Sequence, residues 1–151
     1  MTGYECTGTT PSVCSPICGD SRVISPETCD DGNKNDNIGC TNTCSGALSG
    51  YTCTPGDLNT ASVCVETCGD GVKTALQPCD DGDLDAGDGC SPTCTVEPKY
   101  SCTGSPSVCK PICHDGYVIS PETCDDGLDD DLGCMSDCSG AIAGFNCVGG
   151  D

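Results

Sequence analysis

Nineteen cysteines fall into one repeating register, and every one of them has a place in it. Cys18, Cys29, Cys40, Cys44, Cys53 and Cys64 recur as Cys68, Cys79, Cys90, Cys94, Cys102 and Cys109. They recur again as Cys113, Cys124, Cys134, Cys138 and Cys147, where the sixth is missing. Cys6 and Cys14 come first and correspond to the last two of a repeat. The text between the cysteines repeats as well. Each repeat has Cys-(Gly/His)-Asp, then Cys-Asp-Asp-Gly, an acidic loop, Gly-Cys-x3-Cys, and an aromatic two residues before a cysteine. Complete repeats close on Ser-Val-Cys. A fixed period of this length marks an array of small supersecondary units. The chain divides into the tail of a preceding repeat (1–14), repeat 1 (15–64), repeat 2 (65–109) and an incomplete repeat 3 (110–151).

The repeats are of two kinds. Val23 to Gly32 reads VISPETCDDG, and Val118 to Gly127 repeats all ten residues. Their flanks agree too, SVCSPIC with SVCKPIC and SGAL with SGAI. The middle repeat reads GVKTALQPCDDG instead. Repeats 1 and 3 therefore form one class and repeat 2 another, as a duplicated pair or two packing environments would produce.

Little else could hold such a chain together. Leu, Ile, Val and Phe number 22 of 151 residues, and the net charge is −19. That balance buries too little apolar surface to offset chain entropy. A sizeable apolar core and a conventional α/β enzyme domain are excluded. Disulfides, each contributing roughly 2–4 kcal/mol, would supply the difference. They persist in oxidising compartments, which implies a secreted or cell-surface protein. Five Lys and Arg against 24 Asp and Glu disfavour nucleic acid and anionic membranes. No apolar run approaches the roughly 18 residues of a membrane span, so membrane insertion is not expected. Met1-Thr2-Gly3-Tyr4 lacks the features of a signal peptide, so secretion implies a mature chain or an excerpt.

The expected fold class is small and disulfide-rich, mostly short β-hairpins and loops, with tandem repeats stacked as an elongated rod. Gly and Pro total 31, and no apolar 3.6-residue period supports a helix of ordinary length. Tyr51-Thr52-Cys53 and Ser62-Val63-Cys64 flank a Pro-Gly-Asp turn and read as a hairpin, with equivalents at Tyr4 to Cys14 and Tyr100 to Cys109. Pairing within each hairpin gives Cys6–Cys14, Cys53–Cys64 and Cys102–Cys109. The other four cysteines of a repeat allow three connectivities, which the sequence leaves open. Strand character is also read at Arg22 to Ser25, Gly71 to Thr74 and Tyr117 to Ser120. The aromatics Tyr4, Tyr51, Tyr100 and Phe145 are expected to cover disulfides or repeat joints. Cys147 is unpaired within the chain, or reaches a partner further along an array or in another molecule.

The acidic loops are candidate metal sites. Repeat 1 offers Asp30, Asp31, Asn33 and Asp36, and repeat 2 offers Asp80, Asp81, Asp83, Asp85 and Asp88. Repeat 3 offers Asp125, Asp126, Asp129, Asp130 and Asp131. Asp20, Asp70 and Asp115, with Glu27 and Glu122, could add ligands from the preceding segment. Ca²⁺ takes six to eight such oxygens. The spacing is not that of an EF-hand, because the glycine comes one place late and Pro92 occupies the position of the closing Glu. The competing reading is a set of solvated Asp-Gly turns. Zinc is disfavoured by a single histidine, His114, in an oxidising cysteine inventory. No nucleophile–base arrangement or phosphate-binding glycine loop is present, so a non-enzyme is expected. Thr9-Thr10-Pro11-Ser12 and Ser105-Pro106-Ser107 suit O-linked sugars, as in a glycoprotein.

Taken in order, Cys-Gly-Asp-Gly, Cys-Asp-Asp-Gly, Gly-Asp-Gly-Cys-x3-Cys, Tyr-x-Cys and Val-Cys resemble the Myxococcus-type cysteine-rich disulfide repeat. Repeat 2 matches best, at Cys68-Gly69-Asp70-Gly71, Cys79-Asp80-Asp81-Gly82 and Gly87-Asp88-Gly89-Cys90. Repeat 1 departs at Ser21 and at Asn37-Ile38-Gly39, and repeat 3 at His114 and in a loop one residue shorter. The resemblance implies tandem occurrence in extracellular proteins, and it implies no activity. The expected function is an extracellular structural protein that self-associates into a homopolymer, as a fibre, sheath or surface coat, with calcium at its loops. The rival is a stalk or adhesive module of a larger surface protein that binds a glycan or another surface protein.

Overall fold

Each aromatic-x-Cys segment that precedes a Val-Cys segment becomes a strand, because its alternating aromatic, β-branched and cysteine residues suit a pleated ribbon. Among the described residues six strands result, β1 (Tyr4–Thr7), β2 (Val13–Pro16), β3 (Tyr51–Thr54), β4 (Val63–Glu66), β5 (Tyr100–Thr103) and β6 (Val108–Pro111). They pair as three antiparallel hairpins, β1 with β2, β3 with β4 and β5 with β6. In each register the two cysteines stand directly opposite one another, as Cys6 with Cys14, Cys53 with Cys64 and Cys102 with Cys109. All three opposed pairs are disulfide-bonded. In this computed structural model residues 2–128 and 132–146 are described. They fall in two compact units, Met1–Thr67 and Cys68–Asp151. No helix occurs among the described residues.

The remaining four cysteines of each repeat pair first with fourth and second with third. The bonds are Cys18–Cys44 and Cys29–Cys40, Cys68–Cys94 and Cys79–Cys90, and Cys113–Cys138 and Cys124–Cys134. Nine disulfides thus serve eighteen cysteines and belong to an oxidising environment. Cys147 lies outside the described residues. The Cys-x3-Cys turn is closed by a bond from the backbone N–H of its second cysteine to the carbonyl three residues earlier, at 2.8–2.9 Å. That second cysteine, Cys44, Cys94 or Cys138, sits in the left-handed region at φ 53–54°.

Sulfur replaces hydrocarbon in the interior. Among the described residues the buried apolar ones are nine cysteines and Ile24. In the first unit the hairpin bridge rests on the loop bridge, with Cys64 Sγ 4.0 Å from Cys29 Sγ and 3.8 Å from Cys40 Sγ. This contact explains the glycine before the third cysteine. Gly39 and Gly89 have φ of 72° and 118°, and a Cβ on Gly89 would collide with Cys109 and the Tyr100 ring.

The strand character read at 22–25, 71–74 and 117–120 is not realised. The backbone donors there bond to side chains and loops rather than to a neighbouring strand. Ile24 N–H donates to the Glu27 carboxylate, Thr74 N–H to the Gln77 side-chain carbonyl and Ile119 N–H to the Glu122 carboxylate, at 2.9–3.0 Å. Val23 N–H donates to the Asp57 carbonyl at 3.0 Å, and Lys73 N–H to the Ser105 hydroxyl at 2.9 Å.

Candidate functional site

The first aspartate of every Asp-Asp-Gly is buried, with Asp30 and Asp80 at 0% exposure and Asp125 at 6%. A bare carboxylate in such a place would cost far more than the fold could supply. Backbone donors meet the cost. Asp30 accepts from Gly19, Asp20, Ser21 and Gly32 N–H at 2.8–3.2 Å. Asp125 accepts from His114, Asp115, Gly116 and Gly127 at 2.7–3.2 Å. Asp80 accepts from Gly69, Gly71 and Gly82 at 2.8–3.2 Å, and from the Gln77 amide at 3.4 Å. The Cys-Gly-Asp segment is therefore wrapped around the carboxylate eleven residues later. Burial acts to raise the Asp125 pKa, but the four N–H donors outweigh it and hold the group below its ordinary value. Gly19 and Gly69 adopt φ of 83° and 81° in this wrap, and His114 takes the same turn at φ 71°.

The same aspartates anchor the hairpins through their backbone. Ser62 N–H donates to the Asp30 carbonyl at 2.6 Å while Asp30 N–H donates to the Ser62 hydroxyl at 3.1 Å. Ser107 and Asp80 repeat this reciprocal clasp at 2.6 and 3.0 Å. Both serines are buried. Ser-Val-Cys was legible as a repeat marker, but its role as a clasp was not.

The other predicted ligands divide by position. Asp31 accepts from Cys40 N–H at 2.9 Å and from Asn33 N–H at 3.2 Å, and Asp126 accepts from Cys134 and Leu128 at 3.3 and 3.0 Å. These second aspartates close the acidic loop onto the next cysteine. Asp70 and Asp115 each accept an N–H two residues ahead at 2.9 Å, as Asn33 and Asp83 do at 2.7 and 2.8 Å. Asp36 turns to Asn42, and Asp88 to Cys90 N–H at 3.4 Å. The Asp81 carboxyl is pushed up by burial first and by the charge of Asp88 second. Asp20 keeps one carboxylate oxygen, Oδ1, buried without a hydrogen-bond partner. Asp129, Asp130 and Asp131 lie outside the described residues.

One position separates the two classes of repeat chemically. Glu27 and Glu122 stand two residues before the second cysteine, where repeat 2 has the buried Gln77. Gln77 can accept from Thr74 and donate to Asp80 at once. An ionised Glu27 can only accept. Burial first, then the charges of Asp30 and Asp20, raise its pKa against the opposing bond from Ile24.

Sulfur and carboxylate oxygens gather in several places, including Cys18, Asp30 and Cys44, and Cys113, Glu122, Asp125 and Cys138. Those sulfurs are in disulfides and offer no thiolate to a metal. The Asp30, Asp80 and Asp125 oxygens face N–H donors, which compete with a cation for the same lone pairs. The aromatics reach over their own loops, with Tyr51 O–H donating to the Asn37 carbonyl at 3.3 Å and Tyr100 O–H to the Gly87 carbonyl at 3.0 Å. What the arrangement does chemically is immobilise loops with buried charge.

A comparison with curated proteins finds no match. A family profile described as a domain of unknown function (DUF4215) matches residues 1–45 and 49–95, more than half of the chain. Each matched segment holds a hairpin and the four cysteines that follow it, so this disulfide-rich tandem array belongs to the DUF4215 family.

Proposed function

We propose that the chain is an extracellular structural protein whose repeats self-associate into a fibre, sheath or surface coat. The observation that carries this reading is an apolar residue turned outward at the same place in every hairpin. Val13, Val63 and Val108, the valines of Ser-Val-Cys, are 70, 66 and 60% exposed. Isolated surface valines are ordinary, but one repeated at each module offers equivalent contacts along an array. Contacts between unlike ends of such an array propagate instead of closing. The likeness of repeat 2 to the Myxococcus-type repeat supports the extracellular setting, and so do the nine disulfides. A non-catalytic role is supported by the buried carboxylates, which are engaged by backbone donors rather than held ready to move protons.

Calcium belongs, in this reading, to the outer loops. Asp81, Asp83 and Asp88 in repeat 2 and Asp31 and Asp36 in repeat 1 are its candidate ligands. Support comes from the upward push on Asp81, due first to burial and second to the charge of Asp88, the second of which a cation would relieve. The test is electron microscopy of the oxidised protein with calcium and after chelation. Filaments that loosen on chelation are expected. Monodisperse particles in both conditions would overturn the polymer and favour the surface-module reading.

A further inference from the structure

Two grooves occur at matching places in the odd repeats. The first, about 400 Å³, lies in the Met1–Thr67 unit between Pro16, Cys18, Pro26, Glu27, Thr43 and Ser45. The second, about 430 Å³, lies in the Cys68–Asp151 unit between Pro111, Cys113, Pro121, Glu122, Asp137 and Ser139. The grooves share five of their lining residues, since the same two prolines, bridged cysteine, glutamate and serine return in the second. Two prolines make rigid apolar walls, a disulfide sulfur adds a third, and a glutamate with hydroxyls forms the polar end. Glu27 and Glu122 are held in place by the N–H of Ile24 and Ile119, each at 3.0 Å.

Charge is the property the two grooves keep in common. Ser15 and Thr43 of the first become Lys110 and Asp137 in the second, one positive and one negative charge together. Each groove thus retains the single negative charge of its glutamate. Repeat 2 abandons the design at the key places. Glu66 stands for Pro16, Leu76 for Pro26 and Gln77 for Glu27, and the Gln77 amide is turned inward to Asp80.

A ligand for such a groove has an apolar stem and a positive end. Lysine and arginine side chains have that form, with a methylene stem that lies along apolar surface and a head that seeks a carboxylate. The field favours them further, because the chain carries a net charge of −19 and an acidic ligand at the groove would be repelled. Burial and the neighbouring Asp30 and Asp20 make the Glu27 charge costly in the free protein, so an incoming cation has something to relieve.

We propose that repeats 1 and 3 each carry a receptor groove for a lysine or arginine side chain of a basic partner protein. The stem lies between Pro16 and Pro26, or Pro111 and Pro121, and the cationic head meets Glu27 or Glu122. Repeat 2 is a spacer between receptors. This goes beyond the structural reading and stands without it, because a monomer would bind as well as a filament.

The experiment is an amide NMR titration of the isotope-labelled, oxidised chain with N-acetyl-lysine N-methylamide. N-acetyl-norleucine N-methylamide, which keeps a stem without the charge, and methyl α-glucoside serve as competing probes. Lysine amide should shift the amides around Glu27 and Ser45 and those around Glu122 and Ser139, while Gln77 and Thr95 stay still. Glu27→Gln should weaken only the first site and Glu122→Gln only the second, each by about tenfold, with amide dispersion elsewhere unchanged. Equal binding of norleucine amide or preferential binding of the glucoside would overturn the cationic ligand. Shifts spread over Asp81 to Asp88 that survive both substitutions would reduce the effect to general attraction, and no shift at all would remove the site.

Discussion

Ser12, Ser62 and Ser107 occupy the same place in three hairpins but do different work. Ser62 accepts from Asp30 N–H at 3.1 Å and from Gly56 N–H at 3.2 Å, and Ser107 accepts from Asp80 N–H at 3.0 Å. Ser12 is exposed, and its hydroxyl donates to the Gly8 carbonyl at 3.1 Å. Removing a buried acceptor strands its donors, whereas removing an exposed hydroxyl leaves water to replace it. Ser62→Ala and Ser107→Ala should each lose about 1–2 kcal/mol and speed amide exchange at Asp30 and Asp80 respectively, while Ser12→Ala should stay within about 0.5 kcal/mol. Equal losses at all three positions, read by denaturant unfolding, would refute the clasp. The aspartates were harder to read than the serines. For Asp30, Asp80 and Asp125 the sequence displays the carboxylates and hides the donors that engage them. Those donors are mainly backbone N–H groups nine to eleven residues earlier, brought in by a turn that side-chain spacing does not encode.

The hairpins were legible as elements because their signal is local. An aromatic, a cysteine, a turn rich in Pro or Gly and a second cysteine fix strand, register and bridge within about a dozen residues. The pairing of the other four cysteines was not legible, since it depends on how the chain returns from the acidic loop. Nor could the β-branched residues at Val23 and Ile24 reveal that Glu27 and Asp57 would take their backbone partners. The bridges themselves differ in span, and this has a measurable consequence within one compact unit. Cys68–Cys94 closes a separation of 26 residues and Cys102–Cys109 one of 7. Under the chain-entropy account the longer loop restrains the unfolded state by about 1 kcal/mol more. Paired Cys→Ala variants should show that order, Cys68/Cys94 being the more destabilising, when oxidised protein is unfolded in urea. The reverse order would mean that packing around the Cys102–Cys109 bridge, not loop closure, dominates.

Over the whole molecule, the net charge of −19 and nearly hydrocarbon-free interior make stability unusually dependent on pH. Glu27 and Asp81 have raised pKa values in the fold, so the native state binds more protons than the unfolded chain as each titrates. Their ionisation is a cost at neutral pH, and stability should rise as pH falls through their raised folded values. General repulsion among carboxylates weakens over the same range. Asp125 works in the opposite direction. Its lowered pKa contributes stability that is complete above the unfolded value and is lost as pH falls through the folded one. Protonation there weakens the carboxylate's hold on the backbone around His114 and Gly127. The melting temperature should therefore climb as pH falls from 7 through the raised values of Glu27 and Asp81, pass a maximum and fall once Asp125 takes up its proton. Glu27→Gln should raise stability at pH 7 and flatten the neutral limb. Asp125→Asn should lower it at pH 7, flatten the acid limb, and increase amide exchange at His114, Gly116 and Gly127. A melting temperature that falls steadily from pH 7 downward would mean that Asp125 outweighs Glu27 and Asp81 throughout.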